Sequence, residues 1–273
     1  MFNAGIFNKS LRDTWAMLVL ALIGMIAFVI LFVWAMLNMG TELLDFVSRL
    51  PIIRKIFEMS FGINVSGEVS FGILFSVCYT HAVVLSLAWS VIIATTTRVI
   101  VGEVERGTAD LLFTLPVTRA EVFVSTTVVW VLSAAALSFA PMIGIVIANA
   151  IFQPDESVQI SRFFLPAINF FFLNLAVGAF STMMSCFLNR RGRVVGIVVG
   201  VVLCSVVLNF LEPFLSWVQS VKFLSLLSYF RPVDLVRTGQ WPVQQVVVLF
   251  GIAVVSWTIG LLYFSKKDIP TSG

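Results

Sequence analysis

Six long apolar segments are the feature that most constrains the fold of this 273-residue chain. They contain 23, 27, 31, 26, 18 and 22 residues, and none of them includes Asp, Glu, Lys or Arg. A helix rises about 1.5 Å per residue, so about 20 apolar residues cross a bilayer core about 30 Å thick. We therefore predict an all-α polytopic membrane protein with six transmembrane helices. The predicted spans are residues 15–37, 71–97, 122–152, 163–188, 194–211 and 243–264.

The overall composition excludes an ordinary soluble domain. Hydrophobic residues make up 59% of the chain and charged residues 11%, against about 45–50% and about 25% in soluble proteins. The connections between spans are short, so we expect residues 1–273 to form one transmembrane domain without a soluble one. The three cysteines all lie within predicted spans, which argues against a disulfide framework.

The distribution of charge predicts the orientation in the membrane. Six spans place both termini on one side, and that side carries ten of the 17 Lys and Arg residues. Because cytoplasmic loops are enriched in basic residues, both termini are predicted to be cytoplasmic. The net charge of +3 comes from charged residues that flank the predicted spans. We therefore expect the chain to interact with the lipid bilayer and not with nucleic acid.

Three shorter segments have amphipathic patterns. Residues 1–14 alternate apolar and charged side chains at helical spacing, which favours a surface helix over the alternative of a disordered tail. Residues 43–57 show a second amphipathic helix, bent at Pro51 and expected to lie along the outer leaflet. Residues 214–230 form either a seventh span or a pair of short interfacial or re-entrant helices. The second interpretation is favoured because a seventh span would move Lys266 and Lys267 outside.

Two features within the spans or next to them are candidate functional positions. Gly192, Gly196 and Gly200 place a small residue at every fourth position, a pattern that allows close helix packing in lipid. This face could form a dimer contact or pack within one subunit. His81 lies about ten residues into the second span, and we expect it near the membrane midplane with Cys78 one turn away. It could serve a transport pathway, a soft metal or a proton relay, although one interhelical hydrogen bond is the commoner role.

Several catalytic patterns are absent from the sequence. No glycine is followed by lysine, so the chain has no phosphate-binding P-loop. A single histidine excludes a multi-histidine metal site. We therefore predict a non-enzymatic chain with no catalytic residues, no metal and no cofactor of its own.

The predicted cytoplasmic loop 98–121 is the most informative segment. Gly107 is expected to break the helix leaving span two, and Thr108 can cap a short new helix whose N-terminal dipole Asp110 complements. Pro116 ends that helix, and Thr118 with Glu121 forms a predicted capping box before span three. The short helix either displays Leu111, Leu112 and Leu115 to a soluble partner or folds them back onto the membrane interface.

This loop resembles a known signature. The run GEVERGTADLLFTLPVTR at residues 102–119, after the second of six spans, is similar to the loop of type-2 permeases of ATP-binding cassette (ABC) transporters, the ABC-2 family. The number of spans, the N-terminal surface helix and the re-entrant region before the last span extend the resemblance over nearly the whole chain.

Membership in that family implies a substrate pathway formed by two permease copies, a homodimer or a heterodimer of like permeases. Two separate cytoplasmic ATP-binding subunits would use ATP and Mg to power it. The segment matching 108–115 would be the coupling helix, with Glu103, Glu105 and Arg106 tying the end of span two to neighbouring helices. The residues matched to ATPase coupling are Glu103, Glu105, Arg106, Gly107, Thr108, Asp110, Leu111, Leu112, Leu115, Pro116 and Arg119.

The resemblance further implies an exporter in a bacterial or archaeal cytoplasmic membrane, with residues of spans two and five facing the cavity. Because family members export chemically different cargo, it does not specify the substrate. Two alternatives come from other classes: an ATP-independent, proton-coupled transporter or channel, and a membrane scaffold that recruits soluble partners.

Overall fold

The computed structural model describes residues 2–50, 70–105, 117–154, 158–212 and 214–267. Within these residues the chain is all-α, and six helices are long and apolar enough to cross a membrane. The α-helices are α1 (Ala4–Arg49), α2 (Phe71–Ser76), α3 (Ala82–Glu105), α4 (Arg119–Phe152), α5 (Phe164–Phe187), α6 (Arg191–Leu211), α7 (Ser216–Val221), α8 (Pro232–Thr238) and α9 (Val243–Lys266). Short 3-10 helices cover Val77–Thr80, Ile160–Phe163, Lys222–Leu224 and Leu226–Tyr229. The prediction of an all-α membrane protein with six spans is confirmed.

Helix α1 includes the first span and the residues before it. We expected a separate surface helix over residues 1–14, but α1 runs without interruption from Ala4 to Arg49. No proline lies in this stretch, and the side chain of Asn3 accepts hydrogen bonds from the backbone N–H groups of Gly5 and Ile6 at 2.9 and 3.2 Å. This N-cap satisfies donors that a helix start leaves free, and the buried side chain of Ile6 packs inward.

The second span consists of two helices. Helix α2 ends at Ser76, residues Val77–Thr80 form a 3-10 turn, and His81 has an extended backbone before α3 begins. The Nδ1 atom of His81 accepts the backbone N–H of Val83 at 3.2 Å. His81 therefore caps the start of α3.

Helix α5 lies at the centre of the bundle and contacts α3, α4, α6 and α9. Glycines allow close approach in this region: a Cβ atom added at Gly178 would lie 2.7 Å from the ring of Trp130 on α4. On α4, a Cβ atom at Gly144 would lie 2.8 Å from the Cβ atom of Val29 on α1. Because lipid supplies little drive for helices to associate, such close packing is a main source of cohesion.

Buried polar side chains add contacts between the same helices. The hydroxyl groups of Thr96 and Ser181 lie 2.7 Å apart, joining α3 to α5. The Asn174 amide of α5 donates to the Ser138 hydroxyl of α4 at 2.9 Å. Hydrogen bonds of this kind hold membrane helices together where no water can replace them.

Helix α6 is attached to the bundle along one narrow stripe. Its buried residues are Val194, Val198, Val202 and Ser205, which recur at helical spacing and so lie on one face. The short helices of residues 216–238 pack at the C-terminal end of α6, where the Ser225 hydroxyl donates to the Ser205 carbonyl at 2.9 Å. Thus residues 214–230 form short helices and no seventh span, as favoured from the charge pattern.

The two ends of the described chain lie at one end of the bundle. Ile6 of α1 and Phe264 of α9 belong to the same buried cluster, together with Phe123 at the start of α4. The charge distribution predicts that this end faces the cytoplasm, and it is called the cytoplasmic end below, with the opposite end called the outer end. The predicted amphipathic helix 43–57 is described only in its first part, where residues 43–49 continue α1 and form no separate helix. Residues 51–57 and the proposed coupling helix 108–115 lie outside the described residues.

Candidate functional site: a groove between the second and fifth spans

An elongated groove of about 960 Å³ runs between α3 and α6, the helices of the second and fifth spans. On α6 the lining residues extend from Arg191 to Phe210, and Glu212 follows the helix at the outer end. At about 1.5 Å per residue, this distance is close to the thickness of a bilayer core. The groove therefore extends over nearly the whole depth of the membrane.

The walls of the groove are apolar between its two ends. Helix α3 contributes Leu85, Trp89 and Ile93, and α6 contributes Val199 and Phe210, among others. Along these walls the polar groups include two serines, one threonine and one asparagine, namely Ser86, Ser90, Thr80 and Asn209. Such a surface suits an apolar molecule with a small number of polar groups.

The outer end of the groove carries charges of both signs. Glu212 lies there and its carboxylate accepts a hydrogen bond from the ammonium of Lys222 at 3.1 Å. Asp234 also lines this end and pairs with Arg237 at 2.5 Å. Because each of these acids has a basic partner, the outer end is polar without a large excess of one charge.

The cytoplasmic end of the groove is formed by Arg191, the first residue of α6. Its side-chain Nε donates to the Thr97 hydroxyl of α3 at 3.1 Å. Its backbone N–H donates to the carboxylate of Glu105, the last residue of α3, also at 3.1 Å. Arg191 thus joins the groove wall on α6 to the end of α3 by two contacts.

Glu103 connects α3 to the N-terminal part of α1. Its side chain is 11% exposed, and one carboxylate oxygen lies 2.9 Å from the ammonium of Lys9. One turn earlier, the Arg98 guanidinium faces the carboxylate of Asp13 at 3.9 Å. Glu103 and Glu105 therefore bind the end of span two to α1 and α6, respectively.

The start of α4 is fixed by local and long-range contacts. The predicted capping box is present: Thr118 N–H donates to the Glu121 carboxylate at 2.7 Å, and Glu121 N–H donates to the Thr118 hydroxyl at 3.2 Å. The Arg119 guanidinium donates to the backbone carbonyl of Lys267, just after α9. The helix that follows the cytoplasmic loop is thereby joined to the end of the last span.

Lys267 links this region to the turn between α5 and α6. Its ammonium donates to the carbonyl of Cys186 at 2.8 Å and to the side-chain oxygen of Asn189 at 2.7 Å. Partial burial lowers the pKa of the Lys267 ammonium, because desolvation disfavours its charged form. The sequence pattern predicted none of these Lys267 contacts, since they join residues far apart in the chain.

Most of the predicted coupling residues lie in residues 106–116, outside the described part of the chain. This applies to Arg106, Gly107, Thr108, Asp110, Leu111, Leu112, Leu115 and Pro116. Glu103, Glu105 and Arg119 are described, and they lie on the two helices that this segment connects.

The three glycines of α6 have an open environment. A Cβ atom added at Gly192, Gly196 or Gly200 would meet nothing within 4 Å. Packing of this stripe within the described part of the subunit, one of the two interpretations of the sequence, is therefore not observed. The stripe lies on a different side of α6 from the buried residue Val198.

His81 lies at the break in the second span, immediately before α3 and about 26 Å along the helix axis from Arg98. Its neighbours Thr80 and Ala82 line the groove, and the 3-10 turn that ends at Thr80 contacts α8, the helix of Asp234. The position of His81 near the membrane midplane stays a prediction. Its ring packs 4.7 Å from the ring of Phe28, and among the described residues no group of three metal-ligating side chains occurs.

The six span-length helices and the groove between two of them define a multi-pass membrane permease. The chain belongs to the family described as multidrug efflux system permease Rv1217c, C-terminal domain, whose family model matches residues 10–265. No match is found among curated proteins. The class assigned to the chain is accordingly a membrane transporter permease.

Proposed function

We propose that this chain is the permease subunit of an ATP-driven exporter of the ABC-2 type, powered by two separate cytoplasmic ATP-binding subunits. The observation that carries the proposal is the groove between the second and fifth spans. At its cytoplasmic end Glu105, the last residue of α3, binds the start of α6. The residues between Glu105 and Thr118, called the signature loop below, follow directly. The match to a multidrug efflux permease family supports the export of small molecules.

The groove is the proposed substrate pathway. Apolar side chains cover its walls through the membrane interior, and polar or charged groups are concentrated at its two ends. Apolar and amphipathic molecules partition into such walls because their removal from water is favourable. Movement of α6 relative to α3 would change access to the groove from the two sides of the membrane, a rigid-body change.

A second permease copy is proposed to cover the glycine stripe of α6. Gly192, Gly196 and Gly200 have no neighbour within 4 Å, and in lipid such small faces allow two helix backbones to approach closely. The stripe and the groove are both on α6, so a second copy at the stripe would lie beside the pathway.

The signature loop is the proposed docking site for the ATP-binding subunits, with residues 108–115 as the coupling helix. ATP and Mg belong to these subunits, since the chain has no P-loop. The loop leaves α3 at Glu105 and re-enters the bundle at Thr118, and both ends are held by the contacts described above. A force on the loop would therefore reach α1, α6 and α9.

The docking proposal is tested with Leu112→Asp in the permease expressed with the soluble P-loop ATPase proposed as its partner. A charge on the apolar surface of the coupling helix disfavours burial in the ATPase cleft. We expect co-purification of the ATPase to fall by at least about ten-fold, a loss of about 1.4 kcal/mol in binding. The measurement is the ratio of the two subunits after purification in mild detergent.

Leu112→Met is the matched control, since it keeps an apolar side chain of similar volume and should retain the ATPase. Equal recovery of the ATPase with Leu112→Asp and Leu112→Met would contradict the docking proposal. ATP-independent export by reconstituted permease alone would favour the proton-coupled alternative.

A further inference from the structure

We propose that Arg191 is a positioning residue that closes the cytoplasmic end of the groove, acting as a latch between α3 and α6. The latch consists of the Arg191 side chain on the Thr97 hydroxyl and the Arg191 backbone N–H on the Glu105 carboxylate. The proposal rests on the proposed function only in taking the groove as the transport pathway.

The first argument is the position of the contacts. Arg191 lines the groove and is the first residue of α6. Thr97 and Glu105 lie in the last turns of α3, on the opposite wall. The two contacts therefore bridge the groove at its cytoplasmic end, below the apolar walls.

The second argument is the unequal attachment of the two walls. Helix α3 packs against α1, α4 and α5, with its apolar core residues Val84, Ala88 and Ile92 buried. Helix α6 is buried along a single stripe of four residues. Within one subunit, fewer buried contacts oppose a displacement of α6 than of α3, so α6 is the wall expected to move, and the latch is its polar attachment to α3 at this end.

The third argument is electrostatic. The Glu105 carboxylate accepts a hydrogen bond from the first backbone N–H of α6, where the helix dipole places partial positive charge. Glu105 is also the last residue of α3 before the signature loop. A displacement of the loop that withdraws Glu105 would remove this stabilisation and leave the contact of the Arg191 side chain with Thr97 as the remaining part of the latch.

The opposite side of the turn between α5 and α6 is fixed by Lys267. Its ammonium holds Cys186 and Asn189, two residues on the α5 side of Arg191. Release of the latch would therefore rotate the start of α6 about an anchored turn, so the groove would open at its cytoplasmic end.

The test measures access to the groove from each side of the membrane. Ser90, exposed in the groove wall of α3, is changed to cysteine after Cys78, Cys186 and Cys204 have been replaced by alanine. A membrane-impermeant maleimide is then applied to the cytoplasmic side in inverted vesicles or to the outer side in whole cells. The rate of labelling of Ser90→Cys reports access from that side.

Thr97→Val removes the hydroxyl that accepts from Arg191 and keeps the shape of the side chain. We expect labelling from the cytoplasmic side to become about ten-fold faster, since a hydrogen bond to a charged group is lost. Labelling from the outer side should not change. Thr95→Val is the matched control, because the Thr95 hydroxyl is also buried and bonds the Val91 carbonyl of its own helix at 2.7 Å.

A double-variant comparison separates the latch from general loosening. Arg191→Met removes the guanidinium, and if both residues act through one contact, Thr97→Val combined with Arg191→Met should label no faster than either alone. An unchanged cytoplasmic rate in both single variants, or an equal rise with Thr95→Val, would overturn the latch. The permease is expressed without the ATPase in this assay, so failure of ATP coupling leaves its outcome unaffected.

Discussion

Two sets of glycines in the same apolar bundle have opposite surroundings. Gly144, Gly178 and Gly260 lie where helices cross, with neighbouring atoms 2.7 to 3.2 Å from an added Cβ atom. The stripe of Gly192, Gly196 and Gly200 on α6 has no such neighbours. The first set holds the subunit together, and the second lies on a helix that the subunit covers along one narrow stripe. Glycine therefore occurs both at the closely packed helix crossings, called the fixed part below, and on the uncovered face of α6.

The largest expected effect is in the fixed part. Gly178→Leu would place a side chain against the Trp130 ring at the crossing of α4 and α5. Overpacking of this size should destabilise the fold by at least about 3 kcal/mol. Loss of the monodisperse peak in size-exclusion chromatography would show it. If Gly178→Leu eluted normally with unchanged thermal stability, the assignment of this crossing to the fixed part would be wrong.

Gly200→Leu should leave the subunit folded but weaken the proposed dimer. The added Cβ atom meets no atom of the described chain within 4 Å, while in a dimer the leucine would separate the two α6 backbones. We expect the mass measured by light scattering, after subtraction of detergent, to fall to that of one subunit.

Gly251→Leu on α9 is the matched control for Gly200→Leu, since Gly251 is equally open and lies on another helix. Both variants should have the thermal stability of the unmodified protein. A dimer that survives Gly200→Leu, or is lost equally with Gly251→Leu, would place the contact elsewhere.

The smallest effect is expected at Lys267, which connects the fixed part to the turn preceding α6. Lys267→Met keeps much of the apolar stem and removes the hydrogen bonds to Cys186 and Asn189. Because the ammonium is partly exposed to solvent, the loss should be about 1 kcal/mol, which lowers the melting temperature by about 2–4 °C. Thermal unfolding monitored in detergent provides the measurement, with Lys266→Met on the exposed side of α9 as control. No difference between the two variants would show that Lys267 does not anchor the turn.

Much of the fold follows from properties that the sequence displays locally. Span number depends on runs of apolar residues, and the capping box depends on Thr118 and Glu121, three residues apart; the structure confirms both. The continuity of α1 was missed because an amphipathic pattern before Trp15 suits either a surface helix or a packed extension of the span. The position of Ile6 in a buried cluster decides between them.

From the sequence, only the two helices that form the groove could be predicted, and not the residues that line it. Uniformly apolar helices such as α6 have no polar face that shows which residues line a cavity. The contacts of Arg191 with Thr97 and Glu105, and of Lys267 with Cys186, join residues more than 80 positions apart in the chain. The contact of Lys267 with Asn189 joins residues almost as distant. The helix break before His81 could not be predicted, because residues 77–81 include no glycine or proline to mark it.

The length of α1 has a mechanical consequence. Its 46 residues form a rod about 69 Å long, roughly twice the thickness of a bilayer core. Near its first turns Lys9 is paired with Glu103 of α3, and further along Phe28 packs on His81. A tilt of about 5° around the Phe28 contact would swing the far end by about 3 Å. Helix α1 thus forms a lever by which a small cytoplasmic displacement reaches the opposite surface of the membrane.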